Sequence, residues 1–456
     1  MTQPLGGAGF AGALVGRFQH PAQVIVGGFG VVALLGTALL SLPHATATGQ
    51  RADLLEALFT ATSAVCVTGL VIVDTGTHWS VFGEVVIVGL VQVGGLGIMT
   101  LATLFAVMVS GRLGLRASLL AQAETKALSM VDLRRVVRKV VLFSLVSEVV
   151  TTVVLTARFA IGYGEPIGRA AYLGAFHAVA AFNNSGFALW PDSLMRFVAD
   201  PWICVTIAIA VIVGGLGFPV WFELLRSWRR PSKWSVLTRI TLGVSAALVV
   251  FGTAVFLLTE WSNPRTLGPL SDPAKLLAAF FTGVMPRSAG FNSIDITQMY
   301  PTSWLATDVL MFIGGGSAST GGGIKVTTFG LLAFVLWAEL RGESRVNVGH
   351  RRIPETIQRQ ALAIALLGVG LVAFSTYALL ALTPHSLDQV LFEAVSAFGT
   401  AGMSTGITAD LPTAGHVLIL LLMFVGRVGP LTLGSALALR ERTTRYELPE
   451  ERPIVG

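Results

Sequence analysis

Residues 63–70 read Ser63-Ala64-Val65-Cys66-Val67-Thr68-Gly69-Leu70, a short and largely apolar segment that closes with a glycine and a leucine. Three more segments end in the same way, with a small residue before a glycine and an apolar residue after it. They are Ala181–Phe187, Pro286–Phe291 and Ala397–Met403. One such tripeptide carries no information, because glycine turns are common. Four of them predict an internal repeat.

Two other features keep the same register as these glycines. A phenylalanine lies ten residues before each glycine, at Phe59, Phe176, Phe280 and Phe392. A second cluster of small residues follows about 24 to 28 residues later, at Val93–Gly97, Val213–Gly217, Ile313–Gly316 and Val425–Gly429. Because three signals coincide four times, we predict four equivalent units, each consisting of a helix, a pore loop and a helix (M1–P–M2).

The composition places these units in a membrane. Hydrophobic residues make up 53% of the chain and charged residues 12%, against about 25% charged residues in soluble domains. The mean hydropathy is +0.74. Apolar runs long enough to cross a ~30 Å hydrocarbon core as helices occupy about 22–42, 81–110, 139–160, 202–225, 238–259, 303–338, 361–382 and 415–439. The predicted fold class is therefore an all-α membrane protein with eight transmembrane helices.

Basic residues are concentrated on one side of this arrangement. The net charge is +6, and Lys and Arg cluster after the second, fourth, sixth and eighth runs. The positive-inside rule then predicts that both termini and the basic loops are cytoplasmic. No nucleic-acid-binding motif accompanies the positive charge, so a nucleic-acid partner is not predicted. The first run is also longer than the 7–15 apolar residues of a cleavable signal peptide.

The glycine segments lie between two runs on the predicted outer side. The ten residues before each glycine span only ~15 Å as a helix, about half of a bilayer. Irregular backbone at that depth must be buried in protein or line a wet cavity. We therefore predict that the four loops converge on one pseudo-fourfold pore, as in potassium channels.

Backbone carbonyl oxygens are the expected ligands in this pore, since they can replace the hydration shell of an alkali cation. Glycine allows such carbonyls to turn inward, because it adopts positive φ without steric cost. The predicted selectivity filter consists of Val67, Thr68, Gly69, Asn184, Ser185, Gly186, Ser288, Ala289, Gly290, Thr400, Ala401 and Gly402. The pattern alone leaves the choice between potassium and sodium open, and we predict no cofactor bound by this chain.

A glycine-rich segment interrupts the sixth run. It reads Gly314-Gly315-Gly316-Ser317-Ala318-Ser319-Thr320-Gly321-Gly322-Gly323-Ile324-Lys325. Glycine costs ~1 kcal/mol relative to alanine in a helix, so a continuous helix is not expected here. We predict that the segment obstructs the pathway beneath the filter as a gate; a passive kink that allows close packing is the alternative. It is not a phosphate-binding loop, because Ile324 separates the last glycine from Lys325.

Arg427 takes the position that Gly95, Gly215 and Gly315 occupy in the other units. A charge at such depth costs at least ~2.5–3.5 kcal/mol and normally faces an interior or a wet cavity. We predict that Arg427 binds carbonyls or hydroxyls of residues 314–323, holds that segment across the pore and raises a barrier to cations. An arginine that only snorkels to the membrane surface is the alternative.

The remaining polar residues do not indicate catalysis. Glu148 lies within a run, where pairing with a buried donor is preferred over proton coupling. Cys66 and Cys204 lack disulfide or metal spacing and are expected to pack as small apolar residues. A membrane-embedded enzyme would need clustered His, Glu or Asp, and a carrier with inverted repeats would need units of opposite direction. Since neither pattern is found, we predict a transport protein that is not an enzyme.

Four stretches closely resemble the Trk/Ktr/HKT superfamily of potassium transporters: Ala61–Leu70, Val93–Gly97, Gly314–Lys325 and Met423–Pro430. The resemblance covers about 22–440 and favours the Ktr-type ion-translocating subunit, since the additional N-terminal hairpin of the longer Trk type is absent. It implies potassium uptake across a bacterial inner (plasma) membrane. Serine at the first filter glycine favours sodium in plant relatives, so Gly69 favours potassium; a sodium-permeable relative is the alternative.

The resemblance also implies partners and boundaries. Such subunits form homodimers in the lipid bilayer, dock on a cytosolic ring of regulatory subunits that respond to ATP and ADP, and in some members depend on sodium. The expected divisions are an N-terminus (1–21), repeat one (22–110), a cytoplasmic linker (111–138), repeat two (139–228), repeat three (238–340, with the gate at 314–325), repeat four (361–439) and a C-terminal tail (440–456).

Overall fold

The computed structural model describes residues 21–110, 130–343, 345–349 and 351–429. Four parts of the predicted divisions lie outside this part of the chain. They are residues 1–20 of the N-terminus, 111–129 of the linker, 430–439 of repeat four and the whole tail. Within it the protein is overwhelmingly helical, as the composition predicts.

The helices follow one another in four groups. The first contains α1 (Pro21–Leu40), α2 (Leu54–Val65), α3 (Thr75–His78) and α4 (Val81–Ser110). The second contains α5 (Met130–Tyr163), α6 (Ile167–Phe182), α7 (Pro201–Leu216) and α8 (Phe218–Ser227). The third contains α9 (Val236–Glu260), α10 (Asp272–Val284), α11 (Pro301–Phe312) and α12 (Val326–Leu340). A short antiparallel hairpin, β1 (Asn347–Val348) and β2 (Arg351–Arg352), precedes the fourth group of α13 (Glu355–Leu382), α14 (Leu387–Gly399) and α15 (Thr413–Val428).

Three helical stretches within the described residues are long and apolar enough to cross a membrane. They are Val137–Tyr163, Val236–Glu260 and Glu355–Leu382. The pair α7 and α8 forms a fourth candidate that is bent by 97°. Shorter apolar stretches are Val26–Leu40, Leu54–Val65, Val81–Gly97, Val326–Leu340 and Thr413–Val428.

The short helices α2, α6, α10 and α14 each precede one of the repeated glycines. Capping boxes begin two of them, Asp53 with Glu56 in α2 and Ser386 with Gln389 in α14, and satisfy the first free N–H groups. Their repeated phenylalanines point into the core in three cases, whereas Phe280 is only partly buried and its neighbour Phe281 is fully buried. The predicted equivalence of the four phenylalanines is therefore only approximate.

Glycines in the second cluster allow the last helix of a group to lie against the end of its short helix. A Cβ added at these glycines would collide with a carbonyl oxygen, and the pairs are Gly94 with Val65, Gly214 with Phe182 and Gly426 with Phe398. Such close backbone approach requires glycine.

The free cysteines Cys66 and Cys204 are buried in the surrounding core.

In groups one, two and four, a glycine with positive φ lies inside or directly after a helix that follows the repeated glycine. Gly97 inside α4 has φ 53°, Gly217 after α7 has φ 95° and Gly429 after α15 has φ 93°. Positive φ cannot continue a right-handed helix, so each helix stops or turns there. In the third group a longer non-helical segment runs from the end of α11 to the start of α12.

Candidate functional site

The four repeated glycines share one backbone geometry. Their φ angles are positive, at 88° for Gly69, 71° for Gly186, 74° for Gly290 and 79° for Gly402. The residue two positions earlier also has positive φ in every case, at 55° for Val67, 60° for Asn184, 64° for Ser288 and 47° for Thr400. In all four loops, two residues with positive φ therefore flank one residue with negative φ.

The left-handed residues end the short helices. The N–H of Thr68 donates to the Ser63 carbonyl (2.8 Å), and Ser185 to Ala180 and Ala401 to Ser396 make the equivalent bonds. This six-to-one bond is the Schellman motif, in which glycine normally takes the left-handed position. The third loop departs from the pattern, since Ala289 N–H donates to the Met285 carbonyl (3.1 Å).

Val67 and Thr400 were predicted as filter residues, but their strained backbone was not. A β-branched residue at positive φ is a genuine outlier, and such strain costs about 1–3 kcal/mol. Sequence propensities disfavour this conformation, so the only signal that could have revealed it was the equivalence of all four loops. Strain of this kind persists where the surrounding structure imposes it, which is typical of functional sites.

The four loops close into a ring, which we call the glycine ring and define by Gly69, Gly186, Gly290 and Gly402. Each glycine faces the carbonyl oxygen of the residue before the next glycine, and the pairs are Gly69 with Ser185, Gly186 with Ala289, Gly290 with Ala401 and Gly402 with Thr68. The residues Thr68, Ser185, Ala289 and Ala401 are fully buried. Contact therefore passes from loop one to two, three, four and back to one.

A cavity of about 670 Å³ lies on one side of the glycine ring and is lined by all four glycines and the residues that follow them. Asp74, Asp192 and Asp295 line it, and no Lys or Arg does among the described residues. Acidic walls concentrate cations at an entrance. These aspartates were not singled out by the sequence analysis, although each lies five or six residues after a repeated glycine. Within the described residues, no group of three His, Cys, Asp or Glu could hold a metal ion.

The glycine-rich segment, residues 314–325, lies on the opposite side of the ring, against residues that precede the repeated glycines. Its two ends are joined by a bond from Gly314 N–H to the Ile324 carbonyl (2.9 Å). Bonds from Gly316 N–H to the Gly215 carbonyl (2.8 Å) and from Gly323 N–H to the Gly426 carbonyl (3.2 Å) attach it to groups two and four.

Side chains inside the segment stabilise its compact shape. The Ser317 hydroxyl lies 2.7 Å from the Thr327 hydroxyl, and Ser319 Oγ accepts a bond from Gly321 N–H (3.2 Å). Lys325 Nζ donates to the Gly321 carbonyl at 2.6 Å. The predicted gate residues thus form one compact, largely buried loop.

Two hydroxyls connect the glycine-rich segment to the positive-φ residues that lie two positions before the glycines of the ring. Ser288 Oγ accepts a bond from Gly322 N–H and donates to the Thr400 carbonyl, both at 2.9 Å. Thr320 Oγ1 donates to the Phe182 carbonyl (3.2 Å) and lies 3.1 Å from the side-chain amide of Asn184. A displacement of the segment would therefore break contacts with loops two, three and four.

Arg427 is buried and tethers the same segment. One guanidinium nitrogen donates to the Thr320 carbonyl and the other to the Gly94 carbonyl of α4. The side chain thus reaches the carbonyl of a residue in the 314–323 region and points inward rather than towards the surface. A planar guanidinium suits two separate carbonyl acceptors, whereas a lysine ammonium concentrates its charge at one point.

Glu148 belongs to a polar network beside loop two. Its carboxylate accepts bonds from Ser144 Oγ (2.7 Å), Gln92 Nε2 (2.9 Å) and, at 3.4 Å, Asn183 Nδ2. Asn183 directly precedes the left-handed Asn184. Glu148 therefore pairs with buried donors, the role that its sequence position favours over proton coupling. One of these bonds joins Glu148 to loop two through Asn183.

Comparisons with known proteins give the family and the fold of the chain. The family described as "TrkH: Cation transport protein" matches residues 16–441. The "Ktr system potassium uptake protein B" of Bacillus subtilis is 40% identical over 94% of this chain and 96% of its own length. The "Potassium/sodium uptake protein NtpJ" of Enterococcus hirae is 34% identical over 96% of this chain and 97% of its own. The crystal structure of the potassium transporter TrkH from Vibrio parahaemolyticus has a TM-score of 0.70 at 17% identity, and the match covers 91% of this chain and 85% of that one.

Proposed function

Since the chain belongs to the TrkH family of cation transport proteins, we propose that it is the ion-translocating membrane subunit of a Ktr-type potassium uptake system. Membership of the family that its motifs resemble is confirmed, and the relatives are named as transport proteins. Two relatives are named for potassium uptake, which supports potassium as the transported ion. The word "system" in their names supports the existence of a partner subunit.

The observation that carries the proposal is the closed glycine ring. Four carbonyl oxygens face four glycines around one centre, with an acidic cavity on one side. Rings of backbone carbonyls replace the hydration shell of an alkali cation. We infer that the carbonyl groups of Thr68, Ser185, Ala289 and Ala401 and of the neighbouring ring residues coordinate the passing ion.

The wider arrangement is part of the same proposal. Eight membrane-crossing segments, four M1–P–M2 repeats with the divisions given above and cytoplasmic termini fit the order of the helices and the positions of the basic residues. The glycine-rich segment is the proposed gate, with Arg427 beneath it. A homodimer and a nucleotide-binding cytosolic ring, implied by resemblance, are the proposed assembly.

The proposal predicts rescue of potassium uptake. Expression of this chain with its partner subunit in a bacterium that lacks potassium uptake systems should restore growth at limiting potassium. Rubidium uptake by the same cells should be inhibited by potassium much more strongly than by sodium. Absence of growth despite correctly inserted protein in the membrane would contradict the function.

A sodium-permeable transporter is the second candidate, because one relative is named for both potassium and sodium. The same uptake assay separates the two functions. Equal competition by sodium and potassium would favour the second candidate over the first.

Ser288 is predicted to couple the gate to the filter. Ser288→Ala removes the hydroxyl that joins Gly322 to Thr400, two bonds of about 1 kcal/mol each, so the balance between gate positions should change by about thirtyfold. We expect a higher rubidium flux in proteoliposomes and a weaker preference for potassium over sodium.

Ser293→Ala is the matched control. Ser293 is also buried and follows the same loop, but its hydroxyl has no hydrogen-bond partner among the described residues. Its substitution should leave flux and selectivity unchanged. Identical behaviour of the two variants would contradict a coupling role for Ser288.

A further inference from the structure

A large groove lies between α5 and the end of α8, away from the glycine ring. It has a volume of about 1400 Å³. Its apolar wall consists of side chains from both helices: Leu142, Phe143, Val146, Phe222, Leu225 and Trp228. Its rim carries basic side chains: Lys139, Arg226, Arg229, Arg230 and Lys233. We call this feature the basic groove.

The positive charge of the basic groove is not neutralised by the described part of the protein. None of its five cations makes an ion pair with a carboxylate among the residues that the structure describes, and all five side chains are exposed. Arg229 stacks on Trp228, 4.9 Å from the ring centroid. The one acidic wall residue, Glu223, accepts bonds from Ser235 and Thr238 instead. The rim therefore matches an anionic ligand.

The apolar wall of the groove continues along an exposed side of α5, within the stretch Val137–Tyr163 that is long and apolar enough to cross a membrane. Val146, Val149, Val150 and Val153 are exposed on successive turns of that helix. An acyl chain could lie on this strip while its headgroup stays at the basic rim. An acidic protein segment would match the rim but not the apolar strip, since the strip leads into the hydrocarbon region.

We propose that the basic groove binds an anionic phospholipid of the cytoplasmic leaflet, with the headgroup at Arg226, Arg229 and Arg230 and an acyl chain along α5. Basic pockets between membrane helices on the cytoplasmic side suit such headgroups, and tryptophan prefers the same interface. The binding itself is independent of the proposed function, whereas its effect on transport rests on it.

The groove is connected to the proposed gate through α8. Phe218 N–H, at the start of α8, donates to the Ala318 carbonyl at 3.2 Å. The groove residue Phe143 packs against Phe218 and Phe182, each with ring centroids 6.3 Å apart. Phe182 in turn accepts a bond from Thr320 Oγ1. A lipid that holds α5 and α8 together therefore favours the position of the gate seen here.

Binding is tested with the purified full-length chain by native mass spectrometry. Phosphatidylglycerol and phosphatidylcholine with identical acyl chains are supplied together, and the retained copies are counted. The wild type should prefer phosphatidylglycerol. The triple variant Arg226→Gln, Arg229→Gln and Arg230→Gln should lose that preference by about tenfold or more, because each cation attracts the anionic headgroup.

The control variant removes the same amount of positive charge from residues outside the basic groove. Arg345→Gln, Arg351→Gln and Arg359→Gln also remove three cations, but none of these residues lines the groove, so the preference should be retained. Inorganic phosphate should not displace the lipid. Equal loss in both variants, absence of a preference in the wild type, or displacement by phosphate would overturn the proposal; the last outcome would identify a simple anion site.

The transport arm uses vesicles of phosphatidylcholine alone or an equimolar mixture with phosphatidylglycerol. Rubidium flux of the wild type should be lower in the mixture, and the groove variant should be insensitive to composition. Lipid binding without any effect on flux would overturn the coupling. Absence of flux from all proteins in both vesicles would contradict the proposed function instead, while the binding result would stand.

Discussion

Serine in place of Gly290 should reduce potassium uptake at limiting potassium by about tenfold or more and weaken the preference for potassium over sodium. Gly290 has φ 74°, and an added Cβ would lie 2.7 Å from the Ala401 carbonyl oxygen. Left-handed backbone costs an L-residue about 1–2 kcal/mol, and every 1.4 kcal/mol corresponds to about tenfold. The collision would also push a proposed ion ligand out of the ring.

Gly69→Ser should act in the same way from the other side of the ring. Its added Cβ would meet the Ser185 carbonyl oxygen. Growth rescue and rubidium uptake with sodium competition measure both variants. The informative signature is flux that persists with reduced selectivity, because a misfolded protein would lose flux altogether.

Gly164→Ser is the matched control for these substitutions. Gly164 also has positive φ, 69°, but nothing lies within 4 Å of an added Cβ. Gly164→Ser therefore has the same free-energy cost of left-handed backbone as the two ring variants, but its new side chain collides with nothing. If Gly290→Ser and Gly69→Ser kept wild-type selectivity, or if Gly164→Ser lost it equally, the ring would not be the selectivity filter.

Arg427→Ala is predicted to increase flux through the membrane subunit in the absence of its partner. The variant loses two charge-assisted bonds, to the carbonyls of Thr320 and Gly94. Such bonds are worth about 1.5–3 kcal/mol each, so loss of even one corresponds to about tenfold or more. Loss of the positive charge also lowers the electrostatic barrier to a cation. Rubidium flux into proteoliposomes measures the effect.

Arg427→Lys separates the two contributions. Lysine keeps the charge, but its single ammonium group cannot reproduce the two-pronged geometry of the guanidinium. Flux equal to that of Arg427→Ala would assign the effect to the tether, and flux equal to the wild type would assign it to the charge. An unchanged rate in Arg427→Ala, with correctly folded protein, would remove Arg427 from the gating mechanism.

Much of the site could be predicted from the sequence, because positive φ and close backbone contact each require glycine at one particular position. The four repeated glycines have positive φ, and those of the second cluster permit helix packing that a Cβ would block. Each requirement acts at one position and recurs at a fixed spacing, so it is visible without a structure. The interruption at 314–325 is visible for the same reason, since six glycines disfavour helix wherever they stand.

Other features depend on partners that are distant in the sequence. Arg427 bonds to residues 107 and 333 positions away, and Ser288 to a residue 112 positions away. No local pattern identifies such acceptors. The positive φ of Gly97, Gly217 and Gly429 was not predicted, for a related reason: one glycine is tolerated in a helix, and only its neighbours in the fold decide whether the helix stops there.

The sequence by itself therefore determined a membrane protein with four equivalent glycine loops, a glycine-rich interruption and a buried arginine. These conclusions rest on hydrophobic length, spacing and the conformational range of single residues. The tertiary structure decided how the loops meet, which carbonyl faces which glycine, and that Val67 and Thr400 take a backbone conformation their side chains disfavour. Such strain is maintained by contacts from the other loops, and those contacts exist only once the four groups have packed together.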